Sequence, residues 1–460
     1  MEKEQKRSLF SIHNVRLFIA FRVFFNARFY YPVFTILFLD FGLTLEQFAL
    51  LNVVWAVTVV VVEVPSGAMA DIIGRKNLLV TAGSIMVIEM TLLCFAPRQN
   101  SSLLFSLFLI NRIFSGTAEA AASGADEAIA YDTLVNEGMA DQWPAVLERQ
   151  MRYRAMFSIA VMVCGAAVYD PYLMQKITDF IGLPIHFTQG ITLRFPLFLT
   201  LLMAILTLIV AVKMHEEGRS SVLKCVPGIE ACKAVLRAFK LTFDAGRWIL
   251  RTPIVLVIIF AGMFFDNILR MLITLNSQYY RLISLPEATF GLISSLVAIL
   301  GIFLPRIGRK LVKERTPFFN FNLMVVISFI GLLGLIQLLP YVGLIFIFFL
   351  FSVTYLNDFF QSHYLNRLTS SSQRATVLSF KGMAFNLAYG FAGSLYSYLV
   401  AFLRDEAVIN EPALTDPEVH DLVFIRSLEW FPAYFVLSLI ALLIFAVWKL
   451  RKNNDYRRIG

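Results

Sequence analysis

Charge is what this sequence has least of. Only 16% of its 460 residues are Asp, Glu, Lys or Arg, while 58% are apolar and the mean hydropathy is +0.71. Water-soluble domains carry about 25% charged and about 45–50% apolar residues. So few charges cannot cover so much apolar surface, which excludes a soluble enzyme of this length. The same apolar content excludes disorder. Cysteine and histidine are also scarce. Cys94, Cys164, Cys225 and Cys232 show no metal-ligand spacing and mostly stand in apolar runs, so they read as buried thiols rather than a disulfide frame or zinc site. The five histidines are scattered, and neither a metal nor a cofactor is expected.

Long apolar runs are what the sequence has instead. A membrane-spanning helix needs about 20 mostly apolar residues, and twelve such stretches occur, at 15–39, 45–69, 77–96, 101–131, 152–174, 190–213, 253–280, 287–305, 318–339, 341–365, 374–403 and 427–449. Pro340 divides a run too long for one span. The basic flank before the first run lacks a small-residue cleavage pattern, so that run reads as an uncleaved helix. An all-α membrane protein with twelve transmembrane helices is expected.

The formal net charge of +8 is explained by where the basic residues fall. The N-terminus, the 2–3, 4–5, 6–7, 8–9 and 10–11 connections and the C-terminal tail hold 28 Lys and Arg, against six on the other side: Arg98, Lys176, Arg194, Arg281, Arg404 and Arg426. By the positive-inside rule both termini are cytoplasmic, and no nucleic-acid partner is needed to account for the charge. The longest cytoplasmic connection splits the chain six helices to six, giving bundles at 1–213 and 253–460 around a linker at 214–252. That linker mixes cationic and apolar residues, as a basic amphipathic helix on anionic lipid does, or as a plain charged linker does. The tripeptide GRK recurs at 74–76 and 308–310, an echo between the halves.

The segment joining spans 2 and 3 resembles the major facilitator superfamily of secondary transporters. The pattern G-x-x-x-D-x-x-G-R-K is met by Gly67, Asp71, Gly74, Arg75 and Lys76, with Ile72 where a basic residue commonly follows the Asp. The resemblance implies two six-helix bundles with Asp71 facing the N-terminal amides of the eleventh helix. It also implies that Arg75 pairs with an acid at the end of the fourth, from among Asp126, Glu127 and Asp132. Asp71's position in the second half is occupied by Pro305, so a matching clamp is not expected there. The R-x-x-x-G of Arg112 to Gly116 resembles the family's fourth-helix signature, associated with coupling in proton-driven members.

At 100° per residue, Arg112, Gly116, Glu119, Ser123 and Asp126 fall on one line, a polar stripe about 21 Å long. Lipid exposure of such charges costs at least about 2.5–3.5 kcal/mol each, so the stripe must face protein or water. Similar stripes occur at Arg22, Asn26 and Tyr30, at Asp266, Arg270 and Ser277, and at Thr354, Asn357, Asp358 and Gln361. They lie on spans 1, 4, 7 and 10, which the resemblance implies line a central cavity. The candidate cavity set is Arg22, Asn26, Arg28, Tyr30, Arg112, Asn267, Arg270, Asn357, Asp358 and Gln361. Arg28 points away from Arg22 and has Glu63 as one possible partner.

A coupling proton needs a carboxyl whose surroundings alternate. Glu119 and Asp266 are the first choices and Glu63, beside Pro65, the third. Glu89 and Lys381 lie outside the cavity set and read as structural pair members. The expected function is alternating-access transport of a small molecule coupled to protons, by a monomer in a bacterial inner membrane. Export of a small organic or amphipathic compound is favoured because 44 phenylalanines suit an adaptable cavity wall. Uptake of a nutrient or organic anion is the alternative. A polytopic membrane enzyme would need a cluster of catalytic or metal-binding side chains that the sequence does not offer, and a non-transporting receptor would have no need of costly intramembrane ions.

Overall fold

The computed structural model describes residues 12–98, 101–216, 236, 240, 246–369 and 371–451. Every regular element among them is helical. In chain order the helices are α1 (His13–Phe25), α2 (Phe34–Phe41), α3 (Leu45–Ile73), α4 (Arg75–Cys94), α5 (Ser101–Ala122), α6 (Ala125–Asn136), α7 (Trp143–Tyr169), α8 (Pro171–Ile181), α9 (Gln189–Thr192) and α10 (Phe195–Lys213). They continue with α11 (Pro253–Thr274), α12 (Asn276–Leu282), α13 (Phe290–Glu314), α14 (Pro317–Leu335), α15 (Gly343–Leu368), α16 (Ser371–Asn410) and α17 (Asp416–Arg451). Ten helices among the described residues are long and apolar enough to cross a membrane. Cys94 and Cys164 are free thiols. Most of the 214–252 linker, including its expected amphipathic helix, lies outside the described residues.

The chain forms two compact units. One comprises Met1–Val33 and Thr58–Phe239, the other Phe34–Val57 and Lys240–Gly460. In the first, α4 packs between α5 and α10, and α1 lies against α7 and α10. In the second, α15 packs against α11, α13 and α14, and α11 also contacts α16 and α17. Over its most apolar window α11 is 56% buried and α17 only 11%, so α11 is a core helix and α17 presents its apolar side chains to lipid.

Five expected spans are interrupted: the fifth and sixth near one end, at Asp170 and at 193–194, and the first, fourth and seventh deeper inside. Backbone groups released at bilayer depth must be satisfied by the protein itself, and those of the first break have their partners. The first span stops at Phe25. The Asn26 side chain donates to the Arg22 carbonyl at 2.8 Å, and the freed Phe29 N–H donates to Thr200 Oγ1 of α10 at 3.0 Å. The fourth span breaks at Gly124, whose φ of +76° is a left-handed conformation that glycine adopts without a Cβ clash, and α6 restarts with Asp126 and Glu127 in its first turn. The seventh breaks at Leu275, and the Ser277 hydroxyl accepts from the N–H groups of Thr35 (3.0 Å) and Ile36 (3.2 Å).

Two boundaries run the other way. Pro65 sits inside α3 without ending it, and the neighbouring Ser66 hydroxyl lies 2.8 Å from the Glu63 carbonyl and 2.9 Å from that of Ala120. The second GRK is helical: α13 passes through Pro305 and Gly308 as far as Glu314, whereas α3 stops before Gly74. The expected basic loop from Arg306 is therefore mostly helix. The two halves share the tripeptide without sharing its conformation.

Gly165 of α7 marks the closest approach in the first unit. A Cβ there would overlap the carbonyl oxygen of Phe29, in the break after α1, while a Cβ at Gly67 would meet nothing within 4 Å. Gly165→Ala should therefore cost about 1–3 kcal/mol through forced backbone displacement, lowering the thermal aggregation midpoint of the purified protein by several degrees. Gly67→Ala should leave it unchanged, and equal midpoints for the two variants would contradict the packing described.

Candidate functional site

The charged side chains of the first unit form two groups. Arg28 donates to Glu89 Oε1 at 2.6 Å, with both side chains almost wholly buried, and Asn111 Nδ2 donates to the Glu89 carbonyl at 3.1 Å. The proposed Arg28 partner was Glu63. Glu89 of α4 takes that place because the break after α1 turns Arg28 away from α3's carboxylate. Tyr30 lies within electrostatic reach of both members of this pair and Tyr31 within reach of Arg28, and both tyrosines lie within reach of Arg112 and Glu119. Glu119 interacts electrostatically with Arg28, Arg22 and Glu89, and its side chain has accessible surface.

The second group lies around the start of α6. Arg22 makes a two-pronged contact with the fully buried Asp126 and also donates to Glu127 at 2.8 Å. Two expectations change. Arg22 is spent on an ion pair instead of facing an open path, and Asp126 is not the end of a continuous stripe from Arg112, because the left-handed Gly124 resets the helical phase. Asn26 is exposed, capping α1.

Of the three acids considered for Arg75, the partner is Asp132. The Arg75 and Lys76 backbone N–H groups donate to the two carboxylate oxygens of Glu216, at 3.2 and 3.1 Å. Gly74, with no side chain to cap α4, is thus served by an acid from beyond α10. Asn14 adds to this junction, donating to Thr133 Oγ1 at 2.8 Å and to the His215 carbonyl at 2.7 Å. Neither Glu216 nor Asn14 belongs to a recognisable local pattern. The side chains of Asp71 and Arg374 lie outside the described residues.

In the second unit, Asp266 pairs with Arg270 at 2.6 Å one turn along α11, and Arg270 donates to Asn386 Oδ1 of α16 at 2.8 Å and lies over the Tyr389 ring. Asn357 and Gln361 of α15, expected in the cavity set, serve helix packing. They are buried and donate to the carbonyls of Gly262 (3.1 Å) and Ile258 (2.7 Å), binding α15 to α11. Asn267 lines a mainly apolar cavity of about 350 Å³ between α11, α16 and α17, with Tyr396, Ser427, Trp430 and Tyr434 among its neighbours. Asp358 is exposed and feels Lys381 most strongly, then Asp266 and Arg270. Among the described residues Lys381 makes no ion pair of the kind expected of it. Its ammonium lies 5.0 Å from the centre of the Phe385 ring.

A further network in the same unit was not anticipated as one. Arg281 donates to both oxygens of Asp40 at 2.8 and 2.7 Å and to Glu287 at 3.0 Å, while Arg404 donates to Glu46 at 2.5 Å. Together with the Ser277 contacts, these bonds group Phe34–Val57 with the C-terminal helices.

Apolar spans carrying charges that converge within each unit are the build of a polytopic transporter. The Major Facilitator Superfamily model matches residues 16–364, and the chain belongs to that family. It is a membrane transporter and not an enzyme. None of the curated proteins compared with it matches. Among solved structures, the fold is similar to that of a bacterial homologue of the human lysosomal transporter Spinster, inward-facing and unoccupied, at 14% identity over 97% of this chain and 98% of that one, with a TM-score of 0.69. It is also similar to the nucleoside transporter NupG (12%, 95% and 99%, TM-score 0.63) and to a D-xylose-proton symporter (11%, 92% and 97%, TM-score 0.62).

Removing one member of a buried ion pair strands the other, at about 3–5 kcal/mol, whereas replacing both with apolar residues of similar volume is close to neutral. Glu89→Gln should therefore destabilise the protein by about that amount, and the double variant Arg28→Met with Glu89→Leu should recover most of the loss. Thermal aggregation of the three proteins in detergent checks this. A double variant as unstable as the single one would mean that the pair does more than satisfy itself.

Proposed function

We propose that the protein is a proton-coupled carrier that moves a small organic solute by alternating access, acting as a monomer in a bacterial inner membrane. The observation that carries this reading is Glu119. It is a carboxylate on a membrane helix, accessible, within electrostatic reach of Arg28, Arg22 and Glu89, and without a direct side-chain hydrogen bond or ion pair among the described residues. A carboxylate in permanent contact with lipid would be too costly, so its accessible face meets water. Neighbouring cations favour its charged form and the low dielectric its neutral form. A modest rearrangement then changes which form is favoured, and that is what coupling to a proton requires. Asp266, held by Arg270, is the second coupling candidate, and Glu63, half-buried on α3, the third.

The similar fold of a D-xylose-proton symporter supports protons as the driving ion. The mixed signs of the charges support a polar or charged solute, and charge on the membrane-length helices α5, α11 and α15 is what secondary transporters use to build their sites. Export, expected from the phenylalanine-rich walls, and uptake differ only in which way the gradient is used, so one assay reads both.

Purified protein in liposomes enclosing a pH-sensitive dye should show proton movement on adding one or more members of a panel of organic anions, cations and zwitterions. Glu119→Gln, folded and inserted to the same extent, should lose that movement while still binding the solute. Undiminished proton movement in the variant would remove Glu119 from the coupling role, and solute transport with no proton movement in the wild type would overturn the coupled mechanism.

A further inference from the structure

The cavity between α11, α16 and α17 takes no part in the ion pairs of the second unit. None of the residues lining its volume of about 350 Å³ is charged, and most are apolar. Ile268, Met271 and Ala392 are buried, whereas Leu395, Trp430 and Leu437 are exposed. The cavity therefore runs from the packed interior of the bundle to the surface that α17 presents to lipid. Two polar groups in its wall are short of a donor. Ser427 donates its single hydroxyl proton to the Phe424 carbonyl at 2.7 Å, so the 3.0 Å contact between Tyr396 and Ser427 uses the proton of the phenol. Tyr396 Oη is left with lone pairs only. The Asn267 side-chain oxygen is buried and accepts no hydrogen bond among the described residues. Its amide turns about a soft torsion, which can bring that oxygen to the cavity that Asn267 lines.

We propose that this cavity binds an uncharged, single-chain apolar compound headed by a hydroxyl, which enters from the bilayer and donates to one of these two oxygens. A charged head would be stranded among uncharged side chains in low dielectric. A plain hydrocarbon would fill the apolar wall and leave both oxygens without a donor. The volume lies at the lower end of the range of about 300–1,000 Å³ for small-molecule pockets, which suits one chain and not the two of a membrane lipid. The site stands whether or not the compound is carried across the membrane, so it does not depend on the coupling assigned to Glu119.

Photolabelling of the full chain in lipid nanodiscs tests this without requiring transport. The probes are alkyl chains of equal length with a mid-chain diazirine, ending in an alcohol, a carboxylate or a methyl group, and the labelled residues are mapped by mass spectrometry. The alcohol should label Met271, Trp430 and Tyr434 saturably, with half-saturation about tenfold lower than for the other two, the worth of one hydrogen bond. Trp448, outside the cavity on α17, should be labelled by all three in proportion to their amount in the bilayer. Either Asn267→Leu or Tyr396→Phe should raise the half-saturation of the alcohol to that of the hydrocarbon and leave hydrocarbon labelling unchanged. A merely structural role would weaken labelling by both probes alike. That result in both variants, an alcohol preference that survives both, or cavity labelling no more saturable than that of Trp448 overturns the proposal. A photoreactive diacylglycerol, with the same hydroxyl on two chains, should label the cavity no better than Trp448. Saturable labelling by it would make the occupant a membrane lipid and overturn the single-chain assignment.

Discussion

Every polar group placed at bilayer depth in this protein must be answered by another part of the same chain, because hydrocarbon offers no alternative partner. That constraint accounts for the positions of α1, α2, α6 and α12. The break in the first span exposes N–H groups, and hydroxyls from other helices are in place to receive them: Thr200 for Phe29, and Ser277 for Thr35 and Ile36. The same accounting governs the charges. Arg28 is matched by Glu89, Arg22 by Asp126 and Glu127, and Asp266 by Arg270. Beside these pairings Glu119, a carboxylate without a direct side-chain partner among the described residues, is where a proton can be accommodated.

The ion pairs fall into two physical classes. Arg28 and Glu89 have side chains 4% and 1% exposed, so separating them would strand both charges in low dielectric. Arg281–Asp40 and Arg404–Glu46 have arginines 31% and 38% exposed, and water can replace either partner at small cost. A carrier that changes conformation can exchange bonds of the second kind and must carry those of the first kind intact. The Arg28–Glu89 pair therefore belongs to the permanent frame of the first unit. The pairs on Phe34–Val57 are the kind that can open and reform.

The span pattern and the family were legible in the sequence because they rest on composition and on a local motif: twenty apolar residues announce a span wherever they pack, and Gly67 to Lys76 can be read without tertiary information. The site was legible only in part. A helical wheel assumes that the helix continues, and one left-handed residue at Gly124 moved Asp126 from the Arg112 stripe to the first turn of another helix. Pro65 shows the opposite failure, since a residue that ends helices in water is accommodated inside α3. Partners such as Arg28 and Glu89, or Arg75 and Glu216, are separated by 61 and 141 residues, and nothing in their local sequence encodes the pairing. Asn357 and Gln361 had the right polarity for a cavity wall, but carbonyls of α11 were within their reach and claimed them.

Charge balance connects the frame to the transport cycle. A carrier must reorient both loaded and empty, and net charge in a low-dielectric site penalises whichever of the two states carries it. The Asp266–Arg270 pair of the second unit sums to zero and adds no such bias. A proton on Glu119 does change the charge of the first unit, removing one negative group from among Arg22, Arg28 and Glu89. If solute and proton were bound at one carboxylate they would compete for it. A solute held away from Glu119 avoids that competition.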